Sequence, residues 1–176
     1  MPLQKIELDR SINSLRVKSK DFINISNSEL ITMFENCINN IKSVAFYWAT
    51  VSAEKKGVKD SFAEGEEWLG GPFASVFALQ YYVETLKDIN KPLDKKLYDE
   101  ELNTYKVFPT KNMEKILFPF ISADIRFSKN MTFDEISKYR GYGMRYSHKP
   151  STALILGAGN VSCIPLLDAI YHIVTK

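Results

Sequence analysis

The chain has 176 residues, of which 23 are Lys or Arg and 21 are Asp or Glu, giving a net charge of +2. This length suits one ordinary domain with a buried core, and 45% hydrophobic with 25% charged residues is typical of soluble globular proteins. No Lys/Arg run exceeds two residues, so composition argues against a surface for nucleic acid or anionic lipid.

Cysteine usage and the N-terminus indicate the compartment. Cys37 and Cys163 lie far apart without pairing or metal-ligand spacing, which is typical of a reducing compartment. The start "MPLQKIELDRS" is polar, and no apolar run is long enough to span a bilayer. We therefore expect a cytoplasmic protein with no metal site, no nucleic-acid partner and no membrane partner.

The first strong element is a helix that begins after Ser26. "SNSE" at 26–29 is a capping box, apolar residues recur at steps of three and four from Leu30 to Val51, and Gly57 suits a left-handed C-cap. Cys37 falls within the apolar stripe, so we expect it to pack in the core instead of acting as a nucleophile.

The segment "EGEEWLGGPF" at 64–73 predicts a break and a second helix. Gly70 and Gly71 interrupt the chain, and Pro72 suits the first turn of a new helix. Residues 66–68 could form a functional cluster, but solvated carboxylates beside an anchoring tryptophan are the favoured interpretation. The apolar face of the new helix carries Phe73, Val76, Phe77, Val83 and Leu86.

The middle of the chain is less regular. "TYKVFP" at 104–109 predicts a short strand, and "ILFPFISADIRF" at 116–127 stays unassigned. "TFDE" at 132–135 is a second capping box and predicts a short helix through Tyr139. "YGMRYSH" at 142–148 alternates in the manner of an extended strand.

The chain ends in an apparent strand, turn and helix. "TALILG" at 152–157 predicts a strand buried on both faces, and the helix after it carries Leu166, Leu167, Ile170, Tyr171 and Val174. Parallel strands are buried only when crossovers bring further strands beside them. We therefore expect this unit to be the start of a larger sheet.

The turn "GAGNVSCIP" at 157–165 has more than one interpretation. Gly157, Gly159 and Ser162 fit the spacing of a dinucleotide fingerprint, which needs a helix starting at the second glycine. Pro165 would then lie inside that helix at a cost of about 3 kcal/mol. We therefore predict that the helix begins near Ile164 or Pro165 and that residues 160–163 form a loop.

Asn160 is the residue in that loop whose side chain could take part in a reaction. At the C-terminal edge of a strand its amide can donate to a developing negative oxygen, which contributes about 3–4 kcal/mol in known sites. Asparagine also tolerates a left-handed turn conformation without any chemical role. The residues alone leave these two interpretations open.

Several segments resemble one family. "MRYSHKPSTALILGAGNVSCIP" is similar to a segment of the aldehyde dehydrogenase superfamily, and "EKKGVKDSFAEGEEWLGGPF" and "KVFP" resemble its bacterial branch near the acyl-CoA reductases. The resemblance covers roughly residues 30–176 and is most specific at 66–72 and 156–168. The chain departs from the family at Pro165, five residues after Asn160 instead of two, and at Lys149, where an acid is usual.

The resemblance implies an activity and a site. It implies an oxidoreductase that uses NAD or NADP on an aldehyde or an acyl thioester, with Asn160 as an oxyanion-hole donor. It places the nicotinamide near Leu156, Gly157, Ala158 and Gly159, and it implies a homo-oligomer of the full-length protein. The family's catalytic cysteine lies in a segment that residues 1–176 lack, and Cys163 is no substitute by position, so we expect this chain to be inactive alone.

The implied fold class is α/β, with N-terminal helices followed by the incomplete start of a Rossmann-like nicotinamide-binding domain of aldehyde dehydrogenase type. Residues 1–176 would form a single partial domain. It would be mainly helical over 1–103, irregular and extended over 104–148 with an interface hairpin strand at 144–148, and the first strand–turn–helix of the cofactor domain over 149–176.

Two alternatives remain. The chain could be a stand-alone, non-catalytic binding module that docks on a partner completing its sheet. It could also be a different dinucleotide-binding protein that uses Gly157 and Gly159 as a true fingerprint.

Overall fold

A computed structural model describes residues 5–145 and 149–175. The described residues form two compact units, one containing residues 5–89, 143–145 and 149–175 and the other residues 90–142. The helices are α1 Lys5–Phe22, α2 Asn27–Lys56, α3 Glu64–Trp68, α4 Ala74–Asp88, α5 Asn112–Leu117, α6 Phe133–Tyr139, α7 Tyr142–Arg145 and α8 Ile164–Val174, with a π-helical turn at Leu69–Phe73 and a 3₁₀ turn at Lys95–Leu97. The strands are β1 Tyr98–Asp99, β2 Thr104–Phe108 and β3 Ala123–Arg126.

Helix α2 has the ends that the sequence predicts. The Ser26 hydroxyl accepts a hydrogen bond from the Glu29 N–H at 3.2 Å, and the Glu29 carboxylate accepts one from the Ser26 N–H at 2.8 Å. Gly57 closes the helix in the left-handed region with φ 69°. The predicted start and end of α2 are therefore confirmed.

The core of the first unit lies between α2, α4 and α8. Cys37 is half-buried and packs against this core from α2, as the prediction of a packing role requires. Helix α1 was not predicted from the sequence, and it contributes no buried residue. The buried core residues are Leu30, Phe34, Ile38, Leu79, Val83, Leu86, Ile170 and Val174.

The predicted break at Gly70 and Gly71 is wrong, because the chain stays helical from Glu64 to Asp88. Pro72 lies inside this helix at the π-helical turn. A proline inside a regular α-helix removes one N–H and collides with the carbonyl four residues earlier, here that of Trp68. The wider π turn relieves that collision, so the helix continues through the proline.

The predicted buried strand at 152–157 is also wrong in this structure. Residues 151–158 are in no strand, and Leu154 and Leu156 are 82% and 81% exposed. A strand needs a neighbour for its backbone N–H and C=O groups, and no described strand pairs with this segment. We call residues 151–158 the apolar segment.

The last helix begins where Pro165 predicts. Helix α8 starts at Ile164, with Pro165 in its first turn, so the prediction of a delayed helix is confirmed. A helix starting at Gly159, which the dinucleotide fingerprint needs, is contradicted. The predicted strand at 142–148 is wrong over Tyr142–Arg145, which form the short helix α7, and its remainder at 146–148 lies outside the described residues.

The second unit contains an antiparallel sheet in the order β1-β2-β3. Strand β2 matches the predicted strand, and its Tyr105 lies opposite Tyr98 on one side and Ile125 on the other. Strand β3 falls in the segment that sequence left unassigned. Helix α6 has the predicted capping box at Thr132 and ends at Tyr139.

In class, the described chain is a mixture of helices with a small antiparallel sheet. Within residues 5–145 and 149–175, no helix combines the length and the apolar character needed to cross a bilayer.

Candidate functional site

The two sequence segments with the most specific resemblance lie against each other in the first unit. Residues 157–163, here called the asparagine turn, contact the C-terminal half of α2 and the glycines at 70 and 71. These segments are about ninety positions apart in the sequence, so their contact is a property of the fold.

Hydrogen bonds from three directions hold the asparagine turn. The Lys56 ammonium donates to the backbone carbonyl of Asn160 at 2.5 Å and to Glu67 Oε1 at 2.5 Å. Trp48 Nε1 donates to Ser162 Oγ at 2.9 Å. These bonds fix the backbone of the turn close to its asparagine.

The backbone of the π-helical turn supplies the third direction. The Ala74 N–H bonds to the carbonyls of Leu69 and Gly71, whereas a regular α-helix would use the carbonyl of Gly70. The Gly70 carbonyl instead accepts a hydrogen bond from the Cys163 N–H at 3.1 Å. The irregular turn therefore provides the acceptor that anchors the start of α8.

Glycine at position 71 permits this close approach. A Cβ atom there would lie 2.9 Å from Ser162 Oγ and 3.4 Å from Trp48 Nε1. Those two atoms form the hydrogen bond described above, so any larger side chain would push against it. Gly71 therefore lets the helix and the asparagine turn pack directly.

Glu67 departs from the prediction of solvated carboxylates. It is only 4% exposed and is paired with Lys56, because a charge removed from water requires a partner. Glu66 is exposed, and Trp68 is 37% exposed with its ring 6.3 Å from that of Phe46. No local sequence signal could have revealed the Lys56–Glu67 pair, since its members lie on different helices.

Asn160 has an exposed side chain on an anchored backbone. Its side-chain amide makes no hydrogen bond to any residue that the structure describes, while its carbonyl is held by Lys56. The left-handed interpretation of Asn160 is contradicted, since within 5–145 and 149–175 only Asp60 and Asn103 among non-glycine residues have positive φ. The amide is therefore available to a ligand.

The four residues proposed to contact a cofactor differ in their surroundings. Leu156, Gly157, Ala158 and Gly159 are all exposed. A Cβ at Gly157 would lie 2.3 Å from Pro165 Cγ, whereas a Cβ at Gly159 would meet nothing within 4 Å. Gly157 is thus explained by packing inside the turn, whereas the backbone at Gly159 faces open space.

Cys163 is a structural thiol. It is 4% exposed and precedes the first residue of α8. Burial raises the pKa of this thiol above its ordinary value, and a hydrogen bond from the backbone opposes that effect only in part. A raised pKa leaves little thiolate at neutral pH, which agrees with the prediction that Cys163 is not the nucleophile.

A separate groove of about 1120 Å³ lies on the first unit. Its lining includes Leu15 and Phe22 of α1, Ile155 of the apolar segment and Ile173 of α8, but no residue of the asparagine turn. Asn160 therefore lies outside this groove. In the part of the chain that the structure describes, no His, Cys, Asp and Glu side chains gather into a group that could hold a metal ion.

Comparison of the chain with protein-family models, with curated proteins and with solved structures finds no match. The function is therefore argued from the site and from the sequence resemblance.

Proposed function

We propose that this chain is the N-terminal part of an NAD(P)-dependent oxidoreductase of the aldehyde dehydrogenase type, acting on an aldehyde or an acyl thioester. One observation carries the proposal: the segments 66–72 and 156–168, which are the most specific parts of the resemblance, pack together and leave the Asn160 amide exposed. Packing of two such segments is what a shared active-site edge requires.

In the proposed reaction Asn160 stabilises charge on the substrate. A cysteine thiolate from outside residues 1–176 attacks the carbonyl carbon, the carbonyl oxygen becomes negative, and the Asn160 side-chain N–H donates to that oxygen. Residues 156–159 would lie beside the nicotinamide of a bound NAD(P), which would supply the hydride chemistry. Donors that are already oriented before the reaction contribute most to such a step, and the anchored backbone of Asn160 supports this role.

We also propose that the apolar segment becomes a strand of a Rossmann-like sheet when further strands lie beside it. Leu154 and Leu156 are the side chains that such a sheet would bury, and both are more than four-fifths exposed here. A homo-oligomer of the full-length protein and a cytoplasmic location complete the proposal. Both cysteines are free thiols, as a reducing compartment maintains them.

The same exposed segment favours a second candidate, a stand-alone binding module that docks on a partner completing its sheet. The two candidates predict different codons after Lys176 in the gene. Further codons that encode an apolar strand favour the enzyme, and a stop codon favours the module.

The enzyme proposal is tested with the longest reading frame that contains this chain. Purified protein is assayed for aldehyde oxidation with NAD⁺ or NADP⁺ and for acyl-CoA reduction with the reduced cofactors. We expect Asn160→Ala to lower kcat by about 10²–10³-fold, because it removes the donor to the oxyanion. Asn39→Ala, at an exposed position on α2, is the matched control and should leave kcat unchanged.

Two results would contradict the enzyme proposal. One is an unchanged kcat in Asn160→Ala. The other is turnover by residues 1–176 alone, because the proposal assigns the nucleophile to another part of the protein.

A further inference from the structure

We propose that Lys56, fixed by Glu67, is a positioning residue that holds Asn160 in place for oxyanion binding. The inference rests on the proposed function for its catalytic meaning, while its structural part concerns only the described contacts. Lys56 is the side chain that bonds to Asn160 itself, whereas Trp48 bonds to Ser162.

The geometry makes Lys56 a bridge between two segments. An ammonium group has three N–H donors, and two of them go to Glu67 Oε1 and to the Asn160 carbonyl, each at 2.5 Å. The Lys56 side chain is 34% exposed, so water can reach the third. The bridge links the C-terminal end of α2, helix α3 and the asparagine turn at one atom.

Burial of Glu67 makes the bridge rigid. The Glu67 side chain is 5% exposed, so water could hardly replace Lys56 as the hydrogen-bond partner of its carboxylate. Losing a partner in a buried pair costs more than losing one at the surface. Lys56 also lies in the last turn of α2, where the helix dipole favours a cation. Both effects hold the ammonium where the Asn160 carbonyl meets it.

The consequence for Asn160 is a fixed backbone beneath a free amide. The carbonyl of Asn160, the hydroxyl of Ser162 and the N–H of Cys163 all make hydrogen bonds. These bonds restrain the position of the Asn160 Cα, from which the side chain extends. An oxyanion donor must be held within about 0.5 Å of its productive position. The Lys56 bond to the Asn160 carbonyl restrains the backbone from which that donor extends.

The structural part is tested on residues 1–176 by ¹⁵N relaxation. The variant Lys56→Met/Glu67→Gln removes both bonds of the ammonium and leaves no unpaired buried carboxylate. We expect backbone order parameters over 159–161, the residues around the lost bond, to fall from about 0.85 to below about 0.6, while the chemical shifts of the α4 core residues stay unchanged. Lys59→Met, which removes only the exposed Lys59–Glu54 pair, is the matched control and should change neither.

Unchanged order parameters over 159–161 in the double variant would overturn the proposal, whatever the protein's activity. If the double variant unfolds, Lys56→Gln/Glu67→Gln replaces it, since two neutral amides leave no buried charge unpaired and Gln is one bond shorter than Lys, whose Nζ meets both acceptors at 2.5 Å. The same loss of order is then expected.

The catalytic part is tested on the longer enzyme. We expect Lys56→Met/Glu67→Gln to lower kcat about tenfold with KM unchanged, and Lys56→Arg to recover most of the loss, since a guanidinium can donate to both partners. The triple variant Lys56→Met/Glu67→Gln/Asn160→Ala should have the same kcat as Asn160→Ala alone. Once the amide is gone, the loss of its positioning residue has no further effect, because both changes act through one donor.

The outcomes separate the two proposals. If Asn160→Ala leaves kcat unchanged, the proposed function fails, while the relaxation result still decides the structural bridge. If Asn160→Ala lowers kcat but the double variant does not, or if its effect adds fully to that of Asn160→Ala, the positioning role of Lys56 is overturned.

Discussion

The two glycines of the asparagine turn lie in different surroundings, so glycine is needed at one position and not at the other. Gly157 is required by a neighbour, since a Cβ atom would collide with the Pro165 ring at 2.3 Å. Gly159 faces open space, where a Cβ atom would meet nothing within 4 Å. A sequence motif with two glycines treats them as equivalent, but the structure separates a packing position from an open one.

This difference predicts unequal effects of adding one methyl group. We expect Gly157→Ala to lower the free energy of unfolding by about 1–3 kcal/mol, the usual cost of overpacking, because Pro165 belongs to helix α8 and cannot move alone. Gly159→Ala should change it by less than about 0.5 kcal/mol. Urea unfolding followed by tryptophan fluorescence measures both. Equal losses in the two variants would contradict the packing explanation.

Residues also show how far the sequence could predict the site. Asn160 was a candidate from its place between an apolar run and a delayed helix, but its backbone conformation and its free amide needed the structure. The Lys56–Glu67 bridge was not predictable, because Lys56 resembles any cation near a helix end. Side chains that meet only through tertiary packing leave no spacing signal along the chain.

At the scale of elements, the ends of α2 and α6 and the start of α8 were predictable, whereas strand pairing was not. Each of these signals lies within about four consecutive residues, so a short stretch of sequence is enough to predict it. They are the capping boxes at Ser26 and Thr132 and the proline in the first turn of α8. The π-helical turn depends on accommodating Pro72 and on a neighbour for Gly70. The missing strand at 152–157 depends on partners that no short segment can specify.

The capping box of α6 predicts a pH dependence. Hydrogen bonds from the backbone N–H and the hydroxyl of Thr132 lower the pKa of Glu135 below its ordinary value. A lowered pKa in the folded state means that the carboxylate stabilises the fold above the ordinary pKa and that this contribution is lost as pH falls through the folded value. We therefore expect Glu135→Gln to be less stable than wild type at pH 7.

The difference between wild type and Glu135→Gln should shrink once the pH is below the ordinary glutamate pKa of about 4.3. Urea unfolding at pH 7 and pH 3 measures it. Glu101→Gln, at an exposed position between β1 and β2, carries the same change of charge and is the control. A difference at pH 3 as large as that at pH 7 would show that Glu135 does not act through its charged form.

At the scale of the whole molecule, the first unit leaves its apolar segment uncovered. Leu154 and Leu156 are exposed on a backbone that no described strand pairs with. Apolar extended segments with open backbone groups are templates for pairing with another chain. The sequence predicted a strand buried on both faces here, and the described residues 5–145 and 149–175 supply neither a pairing strand nor cover for these two leucines.

We therefore expect purified residues 1–176 to self-associate with rising concentration and Leu154→Ser/Leu156→Ser to reduce that association. Sedimentation velocity over a range of concentrations measures it. Val17→Ser is the control, since Val17 is 67% exposed but lies on helix α1, where backbone groups are already paired. Equal association in wild type and the double variant would show that the apolar segment is not the contact.

The π-helical turn at Leu69–Phe73 has a consequence for changes in chain length. Such a turn spans one residue more than the α-helical turn it replaces, so deletion of one residue there would let α3 and α4 keep their mutual rotation. In the shortened helix the Gly70 carbonyl would accept an intrahelical hydrogen bond, and it would no longer be free to accept the one from the Cys163 N–H. Deletion of one codon at this place would thus yield a continuous helix that no longer accepts the hydrogen bond from the Cys163 N–H at the start of α8.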